Sequence, residues 1–278
     1  MKPFKAFYAE SVVNKTPKQV DMMHVLTPFA VPFPYPFSKT EKPHSRVSPW
    51  LSRLAYALGQ SLVLPTHFDQ ITVTGQENLP RTGPVLLAPT HRSRWDAIMV
   101  AYATGRPVTG RNMRFMVSIN EMKGLQGWVV GRLGGFPVNP LQLRIETIQH
   151  SVELLCEQEM LVIFPEGNIY RQRHVQPIKR GVATIALQAQ SKMTEQTQGV
   201  QVIPIDIAYS DLSAQWGCQV KVKIGQPLNT LDYQNYSPKQ ASRELTADLQ
   251  AALEALADTP KGVKGDRISS PEQEPVLV

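Results

Sequence analysis

From residue 70 onward, apolar and polar positions follow two alternating rhythms. Short runs such as "ITVTG" (71–75), "PVLLAP" (84–89), "RFMVS" (114–118) and "VQVIPIDIAYS" (200–210) read as strands bounded by Gly, Pro or polar residues. "FPV" (136–138) is a brief strand, and "MLVIFPEG" (160–167) an apolar, buried one. "QVKVKIG" (219–225) alternates with period two, as a half-exposed edge strand does. Between these runs the apolar spacing becomes helical. "WDAIMVAYATG" (95–105) closes at Gly105, and two glycines end "NEMKGLQGWVVGRLGG" (120–135). "LQLRIETIQHSVELLCEQE" (141–159), "RGVATIALQAQSK" (180–192) and a last helix from Ser237 complete the set. Strand–helix alternation predicts an α/β fold, with a mixed, largely parallel sheet flanked by helices over residues 67–258.

The flanks differ. "LTPFAVPFPYPF" (26–37) is aromatic, uncharged and broken by prolines, within a Pro-rich basic arm over residues 1–48. "WLSRLAYALGQSLVL" follows at 50–64, inside a segment of 49–66, and as a helix puts Leu51, Leu54, Ala55, Leu58 and Leu62 on one face. Fifteen helical residues rise about 22 Å, short of a hydrocarbon core of about 30 Å. The segment therefore either lies on a membrane or packs on its own domain, and no transmembrane span is expected elsewhere. Residues 259–278 are polar with scattered Pro and Gly, and read as a disordered tail.

Charge sharpens this division. The net charge is +6 over 278 residues, and residues 1–64 hold eight Lys/Arg against three acids, which leaves the body nearly neutral. A basic arm fits an anionic surface, and aromatics alternating with proline fit a membrane better than nucleic acid. A solvated tail with no partner fits the charge equally. Cys156 and Cys218 have no metal or redox spacing and suit a reducing compartment. The expected location is the cytoplasmic face of a membrane, held peripherally.

Candidate chemistry centres on "LLAPTHRSRWDAIMV" (86–100). On an ideal helix His91 and Asp96 would diverge by roughly 140°, and on a strand they would face opposite sides. They can meet only across a turn. Pro89 ends a strand, and Ser93 with Asp96 three residues on has capping-box spacing, so a helix is expected from about Arg94. An imidazole upstream of that helix reaches a first-turn carboxylate, which would fix its tautomer and stabilise the imidazolium formed on proton uptake. Asp96 could equally be only a first-turn acid, and His91 an ordinary loop histidine. If Asp96 orients His91, Asp96→Asn should lose most activity with little change in Tm.

"VIFPEG" (162–167) ends a second buried strand. Ligands of open α/β sheets bind beyond the carboxyl ends of strands, which puts Glu166 on the same rim as His91 if the two strands are parallel. Downstream, Arg171, Arg173, Lys179 and Arg180 precede any acid up to Glu195. Such a run suits a phosphate, and equally a solvated loop. His91, Asp96, Glu166 and His174 match no metal-binding spacing, and no metal is expected. No G-x-S-x-G elbow is present, and Ser93 is read as a cap rather than a nucleophile.

At these residues the chain resembles the lysophosphatidic acid acyltransferase family (1-acylglycerol-3-phosphate O-acyltransferases), defined by H-x4-D and F-P-E-G motifs. "HRSRWD" (91–96) and "VIFPEG" match the two, "GRLGGFPVNP" (131–140) resembles the block between them, and "VIPIDIAY" (202–209) the apolar strand after them. The chain departs at Thr90, where the family often has asparagine, and at Asn139-Pro140, where it usually has a phosphate-binding arginine. Arg132 or Arg144 is the candidate substitute. A third departure is Asn168-Ile169-Tyr170-Arg171, where Thr-Arg-Ser is common.

The resemblance implies acyl transfer from acyl-carrier protein or acyl-CoA to the free hydroxyl of 1-acylglycerol 3-phosphate, giving phosphatidic acid. His91 would be the base and Asp96 its support. Glu166 and Gly167 would shape the acceptor site, with Arg171, Arg173, Lys179, Arg180 and Arg132 as phosphate binders. A rim-loop backbone donor would hold the oxyanion, with no cofactor beyond the thioester. The alternatives are another acceptor, either glycerol 3-phosphate or a different lysophospholipid, and a non-catalytic membrane-surface protein of this fold.

Overall fold

Pro89 and Pro204 sit inside runs apolar on every position, which is how strands buried on both faces read. The computed structural model describes residues 46–139, 144–193 and 198–257. The arm before residue 46 and the tail after 257 lie outside the described residues. Eight strands form one sheet: β1 (Gln70–Thr74), β2 (Val85–Pro89), β3 (Met113–Ser118), β4 (Gly135–Val138), β5 (Met160–Val162), β6 (Gln201–Tyr209), β7 (Gln219–Ile224) and β8 (Leu228–Asn229). Their order is β1-β7-β6-β2-β5-β3-β4, with β8 beside β6. Strands β6, β2, β5, β3 and β4 run parallel to one another, as do β1 and β7. β7 and β8 run antiparallel to β6, so the sheet is mixed and mostly parallel.

Side-chain parity divides the core. Val85 and Leu87 of β2 join Met160, Val162, Ile203, Ile205 and Ile207 on one face, while Leu86 and Ala88 join Leu161 and Val202 on the other. The second face is covered by α6 (Ile145–Cys156), α7 (Gly181–Lys192) and α8 (Pro238–Leu256). In α8, Ala241, Leu245, Leu249 and Leu253 repeat every four residues and are buried, each leucine contributing about 1.5–3 kcal/mol of transfer free energy. The first face is covered by α3 (Asp96–Thr104) and by the chain around α2 (Leu64–His67), which contributes Leu64 and Phe68. The helices α4 (Arg106–Thr109) and α5 (Gly124–Arg132) connect β2, β3 and β4.

Several expectations change. β7 is not an edge: β1 pairs along its full length, and its alternation arises because Val220, Val222 and Ile224 face the core while Lys221 and Lys223 lie on the other face. The 120–135 helix begins later, at Gly124, after a 3-10 turn at Ile119–Glu121, and the 141–159 helix is shorter, as α6.

The 50–64 segment is α1 (Pro49–Leu58), a π-helical turn (Gly59–Val63) and α2. It packs on the body through Ser52 and Leu64, which are buried. The predicted apolar face is split. Leu51 and Ala55 are half-buried, whereas Trp50, Leu54, Leu58 and Leu62 point outward, each about half exposed or more. Among the described residues no helix is long and apolar enough to cross a membrane.

Candidate active site

At the end of β2 the chain leaves the sheet under control of a threonine. Thr90 donates its N–H to Ile205 O (2.9 Å), and its hydroxyl accepts the N–H of Ile207 (2.9 Å) while donating to Asp206 (3.3 Å). This hydroxyl ties β2 to β6, which gives the residue before the histidine a structural use.

The next residues wrap around Asp96, which is fully buried. Its Oδ2 accepts from His91 Nδ1 (2.8 Å), the Arg92 N–H (2.5 Å) and the Ser93 N–H (2.8 Å), and its Oδ1 accepts from the Tyr209 hydroxyl (2.7 Å). Burying an ionised carboxylate is costly unless donors satisfy it, and here four converge. Since Oδ2 only accepts, Nδ1 carries the imidazole proton and Nε2 carries the lone pair. The His91 ring stacks on Phe164 at 4.0 Å between centroids and 21° between planes, and its side chain is 19% exposed. Among the described residues, no protein group hydrogen-bonds Nε2.

The helix starts at Asp96, not at Arg94. Residues 93–95 form a turn closed by Asp96 N–H to Ser93 O (3.1 Å). Only half of the expected box forms: Asp96 accepts the Ser93 N–H, whereas Ser93 Oγ accepts the Trp95 N–H (3.3 Å) instead of the Asp96 N–H. Asp96 thus both caps and orients.

Glu166 is also buried, and all its oxygens' main partners come from two loops. It accepts from the His91 N–H (2.7 Å), the Gln176 N–H (2.8 Å) and Arg92 Nη1 (2.7 and 2.9 Å). Arg92, only 5% exposed, further donates to the carbonyls of His91 (3.2 Å) and His174 (3.4 Å). Tyr170 N–H closes the same junction onto His91 O (2.8 Å). Glu166 therefore clamps the His91 loop to residues 165–176 and is saturated by protein donors. Its carboxylate oxygens are taken by protein donors and are not presented to a ligand. Gly167 has φ +74°, and a β-carbon there would come 2.5 Å from Lys179 Nζ, so Lys179 lies directly over the glycine.

The other basic residues separate. Arg171 and Arg173 are exposed on the 168–176 loop, and Arg180 is exposed at the start of α7. Arg173 lines a cavity of about 200 Å³ with Arg92, Asp206, Tyr209 and Lys221. Arg132 is not brought to His91. It ends α5 just before the amino end of β4, and β5 and β3 intervene between β4 and β2. Its guanidinium sits 5.2 Å over the Trp128 ring, and its carbonyl accepts from Ser48. His174 pairs with Gln176 (2.6 Å), and among the described residues no three His, Cys, Asp or Glu side chains converge as a metal site would require.

Three residues at this site escape the sequence reading: Arg92, Gln176 and Tyr209. A buried glutamate demands a cationic or N–H partner, which points to Arg92 in retrospect. Tyr209 continues the inward parity of Ile203, Ile205 and Ile207 and so enters the core with a polar tip beside Asp96. Burial first, and then the Asp96 charge, push the Tyr209 phenol well above its usual range, so it remains a donor.

An imidazole with a fixed donor side and an open basic side, at the carboxyl end of a parallel strand, can remove a proton from a hydroxyl. The family model for Acyltransferase matches residues 70–208, which spans β1 to β6 and both motifs. A 1-acyl-sn-glycerol-3-phosphate acyltransferase of Bacillus subtilis (strain 168) is 24% identical over 192 residues, covering 67% of this chain and 87% of the relative. One from Streptococcus pneumoniae (strain ATCC BAA-255 / R6) is 29% identical over 111 residues, covering 39% of each. One from Chlamydomonas reinhardtii is 26% identical over 164 residues, and the chain spans 45% of it. In fold the protein is similar to the crystal structure of the 1-acyl-sn-glycerophosphate (LPA) acyltransferase PlsC from Thermotoga maritima, with a TM-score of 0.51 and 17% identity over 76% of this chain and 80% of that one. With the matched region covering half of its length and both motifs, the chain belongs to the Acyltransferase family.

Proposed function

We propose that the protein transfers a fatty acyl group from a thioester, acyl-CoA or acyl-carrier protein, to the free hydroxyl of 1-acylglycerol 3-phosphate, giving phosphatidic acid. The observation that carries this reading is the His91–Asp96 pair, whose Nδ1 is committed to Asp96 at 2.8 Å while Nε2 is open. Nε2 takes the hydroxyl proton as the acceptor oxygen attacks the thioester carbonyl carbon. The tetrahedral adduct collapses with cleavage of the C–S bond, and the imidazolium returns the proton to the departing thiolate. Asp96 offsets the imidazolium charge during the step. A thioester is already activated, so the reaction balances without a metal or prosthetic group.

Support for a phosphate-bearing acceptor comes from the loop beside the dyad. Arg173 and Lys221 face one cavity next to Arg92, and Arg171, Lys179 and Arg180 lie along the same segment. Guanidinium groups offer paired donors and ammonium groups a point charge to a phosphate. The outward stripe of Trp50, Leu54, Leu58 and Leu62, with the basic arm before it, supports docking on an anionic membrane surface.

His91→Ala tests the proposal. Purified protein with acyl-CoA or acyl-carrier protein, and 1-acylglycerol 3-phosphate or glycerol 3-phosphate in parallel, should form phosphatidic acid only from the first acceptor. The variant should lose at least about 10²–10⁴-fold in rate while remaining folded. An unchanged rate sinks the mechanism, and faster acylation of glycerol 3-phosphate reassigns the acceptor.

A further inference from the structure

The Asp96 carboxylate is supported by four donors, and three of them belong to its own loop. The fourth, the hydroxyl of Tyr209, comes from the end of β6, 113 residues away in sequence and 2.7 Å from Asp96 Oδ1. Among the described residues it is the sole side-chain hydrogen bond on that oxygen, and the other oxygen holds His91. We infer that Tyr209 is a positioning residue of the catalytic pair, a neutral donor that fixes the Asp96 carboxylate and draws charge from it, so setting how strongly His91 holds its second proton.

The environment supports this assignment. Tyr209 is nearly buried, its backbone is paired to Val220, and its ring lies 6.1 Å from that of Phe68, at the end of α2. Strand pairing fixes the backbone and core packing fixes the ring, so the hydroxyl has one place to point. Burial and the neighbouring carboxylate keep the phenol protonated, so the group never becomes a competing anion. Facing the cluster are Asp96 and Arg92 from the His91 loop, Glu166 from the loop after β5, Cys218 before β7, and His67, whose ring stacks on Trp95 at 4.3 Å.

The sign of the effect follows from electrostatics. A carboxylate that loses a donor on Oδ1 concentrates its charge on fewer partners and attracts the imidazolium more strongly. Removing the Tyr209 hydroxyl should therefore make His91 more basic. The inference rests on the reading of His91 as the base, but its primary readout needs no substrate. The His91 ring signals are followed by NMR against pH in the full chain, assigned by their loss in His91→Ala. In Tyr209→Phe the His91 titration midpoint should rise by about 0.5–1 unit, and the lower-pH limb of kcat/KM for thioester-dependent acylation should move up with it. Phe68→Leu, which loosens packing around the ring but leaves the hydrogen bond, should lower stability without moving the midpoint. Should the phenylalanine variant fold poorly, Tyr209→Met removes the donor with a more adaptable side chain. A midpoint unchanged or lowered in the donor-less variant overturns the inference, whatever happens to activity. A normal shift with no acylation by the wild type would instead count against the proposed reaction.

Discussion

At the scale of single residues the reaction depends on what each buried polar group is given. His91, Asp96 and Glu166 are legible in the sequence because their spacing fits no regular element and each follows an apolar strand. Arg92, Gln176 and Tyr209 are not, because their importance comes from partners on other loops. Asp96 shows where the structure changes the expected energetics. Taken as a mere orienter, it should tolerate asparagine with little loss of stability. The structure shows donors on both oxygens, two of them backbone N–H groups at 2.5 and 2.8 Å on Oδ2, and an amide would meet them without the negative charge that strengthens these bonds. Hydrogen bonds to charged groups contribute about 1.5–3 kcal/mol each, so Asp96→Asn should lower stability by about 2–4 kcal/mol as well as removing activity. Chemical denaturation together with rate per folded molecule separates the two. If the folded fraction of the variant retains wild-type turnover, Asp96 is only a cap.

At the scale of elements, the strand–helix alternation is readable, and so are the starts of α8 at Ser237 and the end of α3 at Gly105, because capping and breaking residues act locally. Neighbour relations across the sheet are not. The period-two pattern of 219–225 reports one dry face, and an edge strand and an interior strand with one wet face read identically. The F-P-E-G loop is likewise recognisable as a motif without revealing that its glutamate faces inward. The Arg92–Glu166 pair, at 2.7 Å and almost wholly buried, joins the loops after β2 and β5. Removing one partner of a buried ion pair costs about 3–5 kcal/mol, because the other charge is left without compensation. Glu166→Gln should therefore destabilise the fold by that order and speed proteolytic cleavage within 168–176, although His91 and Asp96 are intact. Wild-type cleavage kinetics in Glu166→Gln would mean that the clamp does not hold the loop.

At the scale of the whole molecule, the outward stripe runs from the Arg132 side of the sheet, where Ser48 N–H bonds the Arg132 carbonyl, toward the candidate site. Leu62 lies little more than one turn before His67, and the His67 ring stacks on Trp95, the residue next to Asp96. Ile98, in the first turn of α3, and Trp216, whose ring meets His67 edge-on at 5.3 Å, are exposed nearby. A bilayer touching the stripe would meet the candidate site through the His67 end of this segment, and the proposed lipid acceptor would reach the rim from that side. The amphipathic character of 50–64 was evident from spacing, whereas its exposed line was not, since the helix packs through Ser52 and Leu64 instead of its leucine row. Each leucine withdrawn from water contributes roughly 1.5–3 kcal/mol, so replacing two should weaken partitioning about a hundredfold or more. Leu54→Ser with Leu58→Ser should leave thermal stability nearly unchanged, because both side chains are already solvent-facing. The double variant should fail to float with vesicles containing anionic phospholipid, and its acylation of vesicle-borne acceptor should fall while that of a water-soluble short-chain acceptor persists. Undiminished flotation would show that the stripe is not the membrane contact, and an equal loss on both acceptors would show that it supports the fold of the site itself.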